Sequence, residues 1–460
     1  MRLTILGGGG FRVPLVHRAL LADSLGPNPP VTEVVLFDTD PERLVAVRAV
    51  LDRQRDAHRA EHGEPPLTVR VATDLIDALR GCDIVFSAIR VGGTAGRVLD
   101  ERVALECGVL GQETVGAGGI SYGLRTVPVA VEIARSVQRL APDAWVINFT
   151  NPAGLITEAM SRVLGDRVVG ICDSPVGLGR RAAHALGLDP ARVHLDYAGL
   201  NHLGWLRGLH VGGRDRLPDL LADEAALTSF EEGRLFGAAW LRALGAVPNE
   251  YLHYYYLARE AREAITRTLA EGGRTRGEQL ADQQRDFYRL AARRPADAHD
   301  LWERTRRERE ETYMADNRRA AGGVERDEAD LDGGGYERVA LAVMRAVALD
   351  EPARLIVNVR NRGALPDLDA DAVVEVPCLV DASGARPLAV DPLTPHQAAL
   401  VRAVKAAERE VLDAVRTGSR ASALRAFATH PLVDSVAVAQ QLLDGYLRAF
   451  PELAKTLPHP

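Results

Sequence analysis

The chain predicts an α/β fold, a doubly wound parallel sheet over residues 1–172 followed by a mixed α+β domain over 173–460. Three observations carry that expectation. Short aliphatic and β-branched runs alternate with amphipathic helical stretches up to residue 172, the pattern of a parallel sheet covered on both faces. Four consecutive glycines, 7–10, close the first apolar run. Beyond about residue 175, long helical periodicities take over.

RLTIL (2–6) is an apolar strand ending in Gly7–Gly10, and VPLVHRALLAD (13–23) repeats at helical spacing. EVVLFD (33–38) is the second strand. PERLVAVRAVLDRQRDAHRA (41–60) opens with proline. Proline suits a first helical turn because its missing N–H has no intrahelical acceptor to lose. LTVRVA (67–72), CDIVFSAI (82–89), AWVINF (144–149) and VVGIC (168–172) complete the strands of the first half. In the second half, 252–269 and 398–416 read as long amphipathic helices. RLIVNVR (354–360) and AVVEVPCLV (372–380) read as strands of the second domain. The stretch 302–335 is dense in both charges and reads as a solvated helix followed by a mobile loop.

Composition removes several classes of function. A chain of 460 residues, 47% of them hydrophobic, buries a large core. A net charge of −7 opposes a broad nucleic-acid surface, which needs a positive field. No apolar run is long enough to span a membrane. MRLTILGGGG lacks the regions of a signal peptide, so a cytoplasmic location is expected. Cys82, Cys107, Cys172 and Cys378 show no paired spacing, which argues against a disulfide framework or a zinc knuckle. Lysine occurs only at 405 and 455, so Schiff-base chemistry would depend on one of those two residues.

The glycine run, set between a strand and a helix, can bring backbone N–H groups against a pyrophosphate. Arg12 stands where the third glycine of G-x-G-x-x-G would be. Asp38 strengthens the reading, because a carboxylate ending the second strand accepts hydrogen bonds from ribose hydroxyls. It would also repel a 2′-phosphate, favouring NAD over NADP. Gly7, Gly9, Gly10, Phe11, Asp38, Arg43 and Glu113 are the candidate cofactor contacts of a Rossmann-like domain. GISYG (119–123) fits a serine nucleophile elbow, but GQETVGAGG before it reads as a loop, whereas an elbow follows a buried strand. Cys172 in ICDSPVG and His202 in GLNHLGW lie thirty residues apart. That spacing leaves open a core thiol with a loop histidine, or two ligands of one metal.

GGGGFRVP, IRVGG, LGQETVGAGGISYGLR, WVINFTNPAG, GICDSP, GLNHLGW and VPNEYLHYYY occur in an order that resembles glycoside hydrolase family 4. The resemblance extends to VNVRNRG and ATHPLV, nearly the whole chain. It implies an NAD-dependent glycosidase in which Cys172 and His202 bind a divalent metal, usually Mn2+. It implies a phosphorylated disaccharide or glucoside as substrate and a homodimer or homotetramer, with the second domain serving substrate binding and oligomerisation. The implied route oxidises carbon 3 of the sugar, removes the proton on carbon 2, expels the group on carbon 1, adds water and returns the hydride. This departs from the usual pair of carboxylates. Tyr251 is the implied base, with Tyr254, Tyr255 and Tyr256 as neighbours that also read as a packed aromatic face. Asn151, Arg97 and an arginine of GGRTRGE, Arg274 or Arg276, are the implied substrate contacts. The ordered segments look closest to 6-phospho-β-glucosidases. Asp173 departs from that group, which usually has asparagine there, and resembles the α-acting members, where it is a candidate general acid. A plain NAD-dependent dehydrogenase and a non-catalytic nucleotide sensor are the competing readings.

Overall fold

The fold is described from a computed structural model that covers residues 1–314, 318 and 335–459. Six strands come first: β1 Arg2–Leu6, β2 Glu33–Phe37, β3 Thr68–Val71, β4 Ile84–Ser87, β5 Trp145–Asn148 and β6 Val168–Gly170. They lie side by side in the order 3-2-1-4-5-6, all parallel. This is the doubly wound arrangement expected from the alternation of strands and helices, and it places the crevice between β1 and β4.

The later strands are β7 His194–Leu200, β8 Leu203–Val211, β9 Arg214–Asp215, β10 Val247–Pro248, β11 Ala353–Arg360, β12 Val373–Asp381 and β13 Gly384–Pro387. They extend the same sheet rather than starting another. β11 lies antiparallel to β6, with Asn358 opposite Gly170. β12, β7, β8 and β10 follow, each antiparallel to its neighbour. Gly170 allows the join: a Cβ there would stand 2.3 Å from Thr157 Oγ1 and 2.8 Å from Asn358 Cβ.

Side-chain alternation along the strands feeds two cores on opposite faces. Leu3, Ile5, Ile84, Phe86 and Ile147 belong to one, which continues under Trp205 and Trp302. Leu6, Val85 and Val146 belong to the other, packed on the helix Gly116–Leu140 and the C-terminal helices. Helices span Val13–Asp23 and Pro41–His62, close to the expected limits. The expected helix over 252–269 is broken: His253–Tyr256 and Ala258–Ala270 are separated at Leu257, whose φ of −128° leaves the helical range. The helix Ala298–Glu311 is only partly solvated, since Leu301, Trp302, Thr305, Arg306 and Glu310 are buried. Most of the loop expected after it lies outside the described residues. Among the described residues, no helix is long and apolar enough to cross a membrane.

Candidate active site

A cavity of about 470 Å³ opens at the carboxyl ends of the parallel strands. Of the sequence-predicted residues it gathers Gly10, Phe11, Arg43, Arg97, Glu113, Asn151, Cys172, Asp173, His202, Tyr251 and Arg276. Gly7, Gly9, Asp38 and Arg274 are not in its lining.

The glycine turn forms one end. Gly7 takes a φ of +84°, and a Cβ there would fall 2.5 Å from the carbonyl oxygen of Ala88. The N–H groups of Gly7 and Gly8 both donate to the carbonyl of Phe37, tying the turn to the end of β2. One residue on, Asp38 accepts the Gly9 N–H at 2.9 Å through Oδ2 and the Asp40 N–H at 3.0 Å through Oδ1. A carboxylate has about four acceptor positions, so hydroxyl donors still find lone pairs here. The Tyr288 hydroxyl donates to Gly9 O at 2.7 Å, and the Arg43 guanidinium lies 4.8 Å over the Tyr288 ring. The close backbone, the start of the helix at Val13, which carries no side-chain cap, and the carboxylate together fit an NAD-type dinucleotide.

Cys172 and His202 both line this cavity. Cys172 lies two residues beyond β6, buried, with its thiol 3.9 Å from Asp173 Oδ1. Burial, then Glu375 and Asp173, push its pKa well up. Asp173 holds the N-cap position of the helix Ser174–Ala185 without making a side-chain cap. Its other oxygen faces Arg12 at 3.9 Å. His202 sits in the β7–β8 turn at φ +61°, a conformation that histidine tolerates better than most residues. Burial lowers its pKa to about 3, which keeps the ring neutral with a lone pair to offer. Among the described residues, neither ring nitrogen has a hydrogen-bond partner. A divalent cation suits this set: a neutral imidazole, a thiol that a cation would ionise, and surrounding carboxylates. No cluster of three or more histidine, cysteine, aspartate or glutamate side chains is preformed among the described residues, so substrate oxygens or water would complete a shell.

Tyr251 packs face to face on His202, with ring centroids 3.6 Å apart and planes 5° apart. Its hydroxyl is 3.3 Å from that of Tyr313, which stands 3.4 Å from Glu250 Oε1. Burial and then Glu250 hold the Tyr251 phenol well above its usual value. Tyr254 is buried, and Tyr255 and Tyr256 are half-buried against the core. Of the four tyrosines, Tyr251 and Tyr254 reach the cavity.

Arginines line the remaining wall. Arg97 is buried between Glu101, at 2.8 Å, and Glu113, at 2.6 Å. Arg90 also meets Glu113 at 2.6 Å. Burial alone would raise the Glu113 pKa, but Arg90 and Arg97 overcome it and hold the group at about 2. Arg276 donates to Thr312 Oγ1 and to the carbonyl of Arg309. Arg274 points away, 61% exposed and paired with Asp282.

Several site residues escaped the sequence reading. Arg12 spans Asp173 and Glu310. Arg309 lies 6.0 Å over Phe11, and burial followed by Arg12 lowers its pKa to about 9. Arg309 and Glu310 sit in the charged helix that read as a solvated face, and only the fold reveals which side turns inward. Ser121 of GISYG lies inside the helix Gly116–Leu140, where its hydroxyl accepts from Arg125 at 2.8 Å. That placement rules out a strand-to-helix elbow.

Comparison with known proteins matches this geometry. Residues 2–188 match the family model described as family 4 glycosyl hydrolase, and 197–433 match its C-terminal domain. The chain is 31% identical to the probable 6-phospho-beta-glucosidase of Bacillus subtilis, covering 98% of this chain and 96% of that protein. It is also 31% identical to 6-phospho-alpha-glucosidase 1 of Lacticaseibacillus paracasei, covering 98% of each. Among solved structures, the 6-phospho-beta glucosidase of Thermotoga maritima with manganese, NAD+ and glucose-6-phosphate superposes with a TM-score of 0.79 at 27% identity, covering 98% of this chain and 99% of that one. With both family models matched in order along one sheet and one cavity, the chain belongs to family 4 of the glycosyl hydrolases.

Proposed function

We propose that this chain hydrolyses 6-phospho-β-glucosides, using NAD and a divalent metal, Mn2+ foremost. The observation that carries the reading is the single cavity joining Cys172, His202 and Tyr251 to the glycine turn and to Arg97 and Arg276. NAD+ supplies reversible oxidation at carbon 3, and the cation supplies Lewis-acid stabilisation of the negative charge that then builds up beside carbon 2.

The chain's own groups do the rest. Cys172 and His202 would hold the metal; Gly7, Gly9, Gly10, Phe11, Asp38, Arg43 and Glu113 form the nucleotide end. Asn151 and Arg97 orient the sugar. Arg276, joined by Arg309, has no carboxylate partner among the described residues, which supports an anionic group on the substrate. Tyr251 takes the proton from carbon 2, and loss of the group on carbon 1 follows. Asp173, beside Cys172, orients the site. A 6-phospho-α-glucosidase is the second reading, and Asp173 favours it: a carboxyl group on the leaving-group side could protonate the departing oxygen. We also propose a cytoplasmic role as a homodimer or homotetramer, with an NAD-binding domain over residues 1–172 and a substrate-binding and oligomerisation domain over 173–460.

Nitrophenyl α- and β-glucosides, each with and without 6-phosphate, test the substrate. Activity on the 6-phospho-β form that is abolished by EDTA, and restored by Mn2+ in the presence of NAD+, is expected. Stoichiometric NADH without sugar release would instead make the protein a dehydrogenase. Full turnover in EDTA with no bound metal would remove the metal assignment. Light scattering on the purified protein tests the oligomer.

A further inference from the structure

Glu375, on β12, is buried at 0% exposure and lies outside the cavity lining. Its carboxylate accepts three side-chain hydrogen bonds. Asn201 Nδ2 donates to Oε1 at 3.2 Å, Asn358 Nδ2 to Oε1 at 2.8 Å, and the Tyr197 hydroxyl to Oε2 at 3.2 Å. Each donor leads to a different part of the active site.

Asn201 immediately precedes His202 in the β7–β8 turn, where His202 holds its positive φ. Asn358, itself fully buried, sits opposite Gly170 in the β11–β6 ladder, two residues before Cys172. The Tyr197 hydroxyl accepts from Asn249 Nδ2 at 3.5 Å. Asn249 Oδ1 in turn accepts the Tyr251 backbone N–H at 3.0 Å. One carboxylate thus connects to the histidine turn, to the cysteine strand and to the base. In the backbone, Glu375 is paired with both Gly199 and Asn358. A bulky apolar residue would pack such a position more simply, since a buried carboxylate carries a desolvation cost. Hydrogen bonds buried this deeply restrict the donors around the carboxylate to few arrangements, even though Asn358 Oδ1 itself finds no partner among the described residues.

We infer that Glu375 is a positioning residue that fixes Cys172, His202 and Tyr251 relative to one another, through Asn358, Asn201 and the Tyr197–Asn249 pair. The inference rests on the proposed metal reading. It assigns to the region beyond the ligands the kind of orientation that commonly contributes 10- to 100-fold to metal affinity, about 1.4–2.7 kcal/mol.

The test is Mn2+ affinity of the full-length, NAD-loaded protein, read by the free-ion EPR signal, with the absorption spectrum of the Co2+ form as a second readout. Glu375→Ala removes the hub. Asn201→Ala removes a single half-buried spoke and remains decisive if Glu375→Ala does not fold. Both should bind Mn2+ about 10 to 100 times more weakly than wild type and show an altered Co2+ spectrum, with NAD affinity unchanged. A general packing role would instead lower thermal stability and NAD affinity together, leaving the Co2+ spectrum as in wild type. Wild-type Mn2+ affinity in Asn201→Ala overturns the inference. Absence of Mn2+ binding by the wild-type protein overturns the metal reading itself, which makes the two failures distinguishable.

Discussion

Replacing Tyr251 by phenylalanine separates base chemistry from metal binding. The substitution keeps the ring, so the 3.6 Å stack on His202 should survive. It removes one hydroxyl, whose neighbour in the site is Tyr313 at 3.3 Å. A neutral hydrogen bond of that length contributes on the order of 1 kcal/mol or less to stability, so the fold and the Mn2+ affinity should hardly change. Catalysis should change far more. A positioned base typically supplies about 100- to 10,000-fold, corresponding to about 3–5 kcal/mol of barrier. Burial and Glu250 hold the phenol protonated, so its action as a base depends on the cation that the neighbouring His202 would hold, whose field favours the phenolate. The assay uses substrate deuterated at carbon 2 and follows both sugar release and loss of label to water. Wild-type protein should wash the label out during turnover. Tyr251→Phe should lose both activities together at unchanged metal content. Wash-out at the wild-type rate in this variant refutes Tyr251 as the base, and complete retention of label by the wild-type enzyme refutes the elimination route.

Cys172→Ser and His202→Ala should each lose bound metal and activity while the circular dichroism spectrum stays native, because a hydroxyl does not replace a soft thiolate; wild-type activity in either variant returns that residue to a packing role. Asp173→Asn should slow alkyl and nitrophenyl glycosides by a similar factor, about 10 to 100. A much larger loss on alkyl glycosides, with preference for the α substrate, would instead make Asp173 the general acid. Glu113, held at about 2 between Arg90 and Arg97, should contribute stability that is fully present above the ordinary carboxylate pKa and lost as pH falls from there toward 2. Urea unfolding at stepped pH should show Glu113→Gln starting about 3 kcal/mol less stable near neutrality and losing less on acidification. Parallel acid profiles for the two proteins would contradict that role.

Five of the six strands of the first half were legible because a buried parallel strand is a short apolar run; β3, an exposed edge strand, showed instead through its β-branched residues. The pairing of Cys172 with His202 was not. Spacing alone left it open until the family resemblance suggested a shared metal, and only the turn between β7 and β8 brings the two into one cavity. The choice between Arg274 and Arg276 was invisible for a similar reason. The two differ by two positions, and the helix start at Arg276 turns one to Thr312 and the other to Asp282. Arg309 and Glu310 were hidden by their own composition, since a helix rich in both charges reads as solvated whichever face is buried. The joining of β11 and β12 to the first sheet depends on contacts across nearly two hundred residues, which local periodicity does not encode.

The continuous sheet affects how this enzyme could be taken apart. Severing the chain between residues 172 and 173 would free β6 on one fragment and β7, β11 and β12 on the other. Each piece would then expose unpaired backbone amides and carbonyls along a flat edge, a template for aggregation. Any single cut between β6 and β11 separates strands that pair across this join, so split-protein reporters should avoid that whole span; circular permutation, which keeps one chain, can open an exposed turn such as Gly212–Gly213 between β8 and β9.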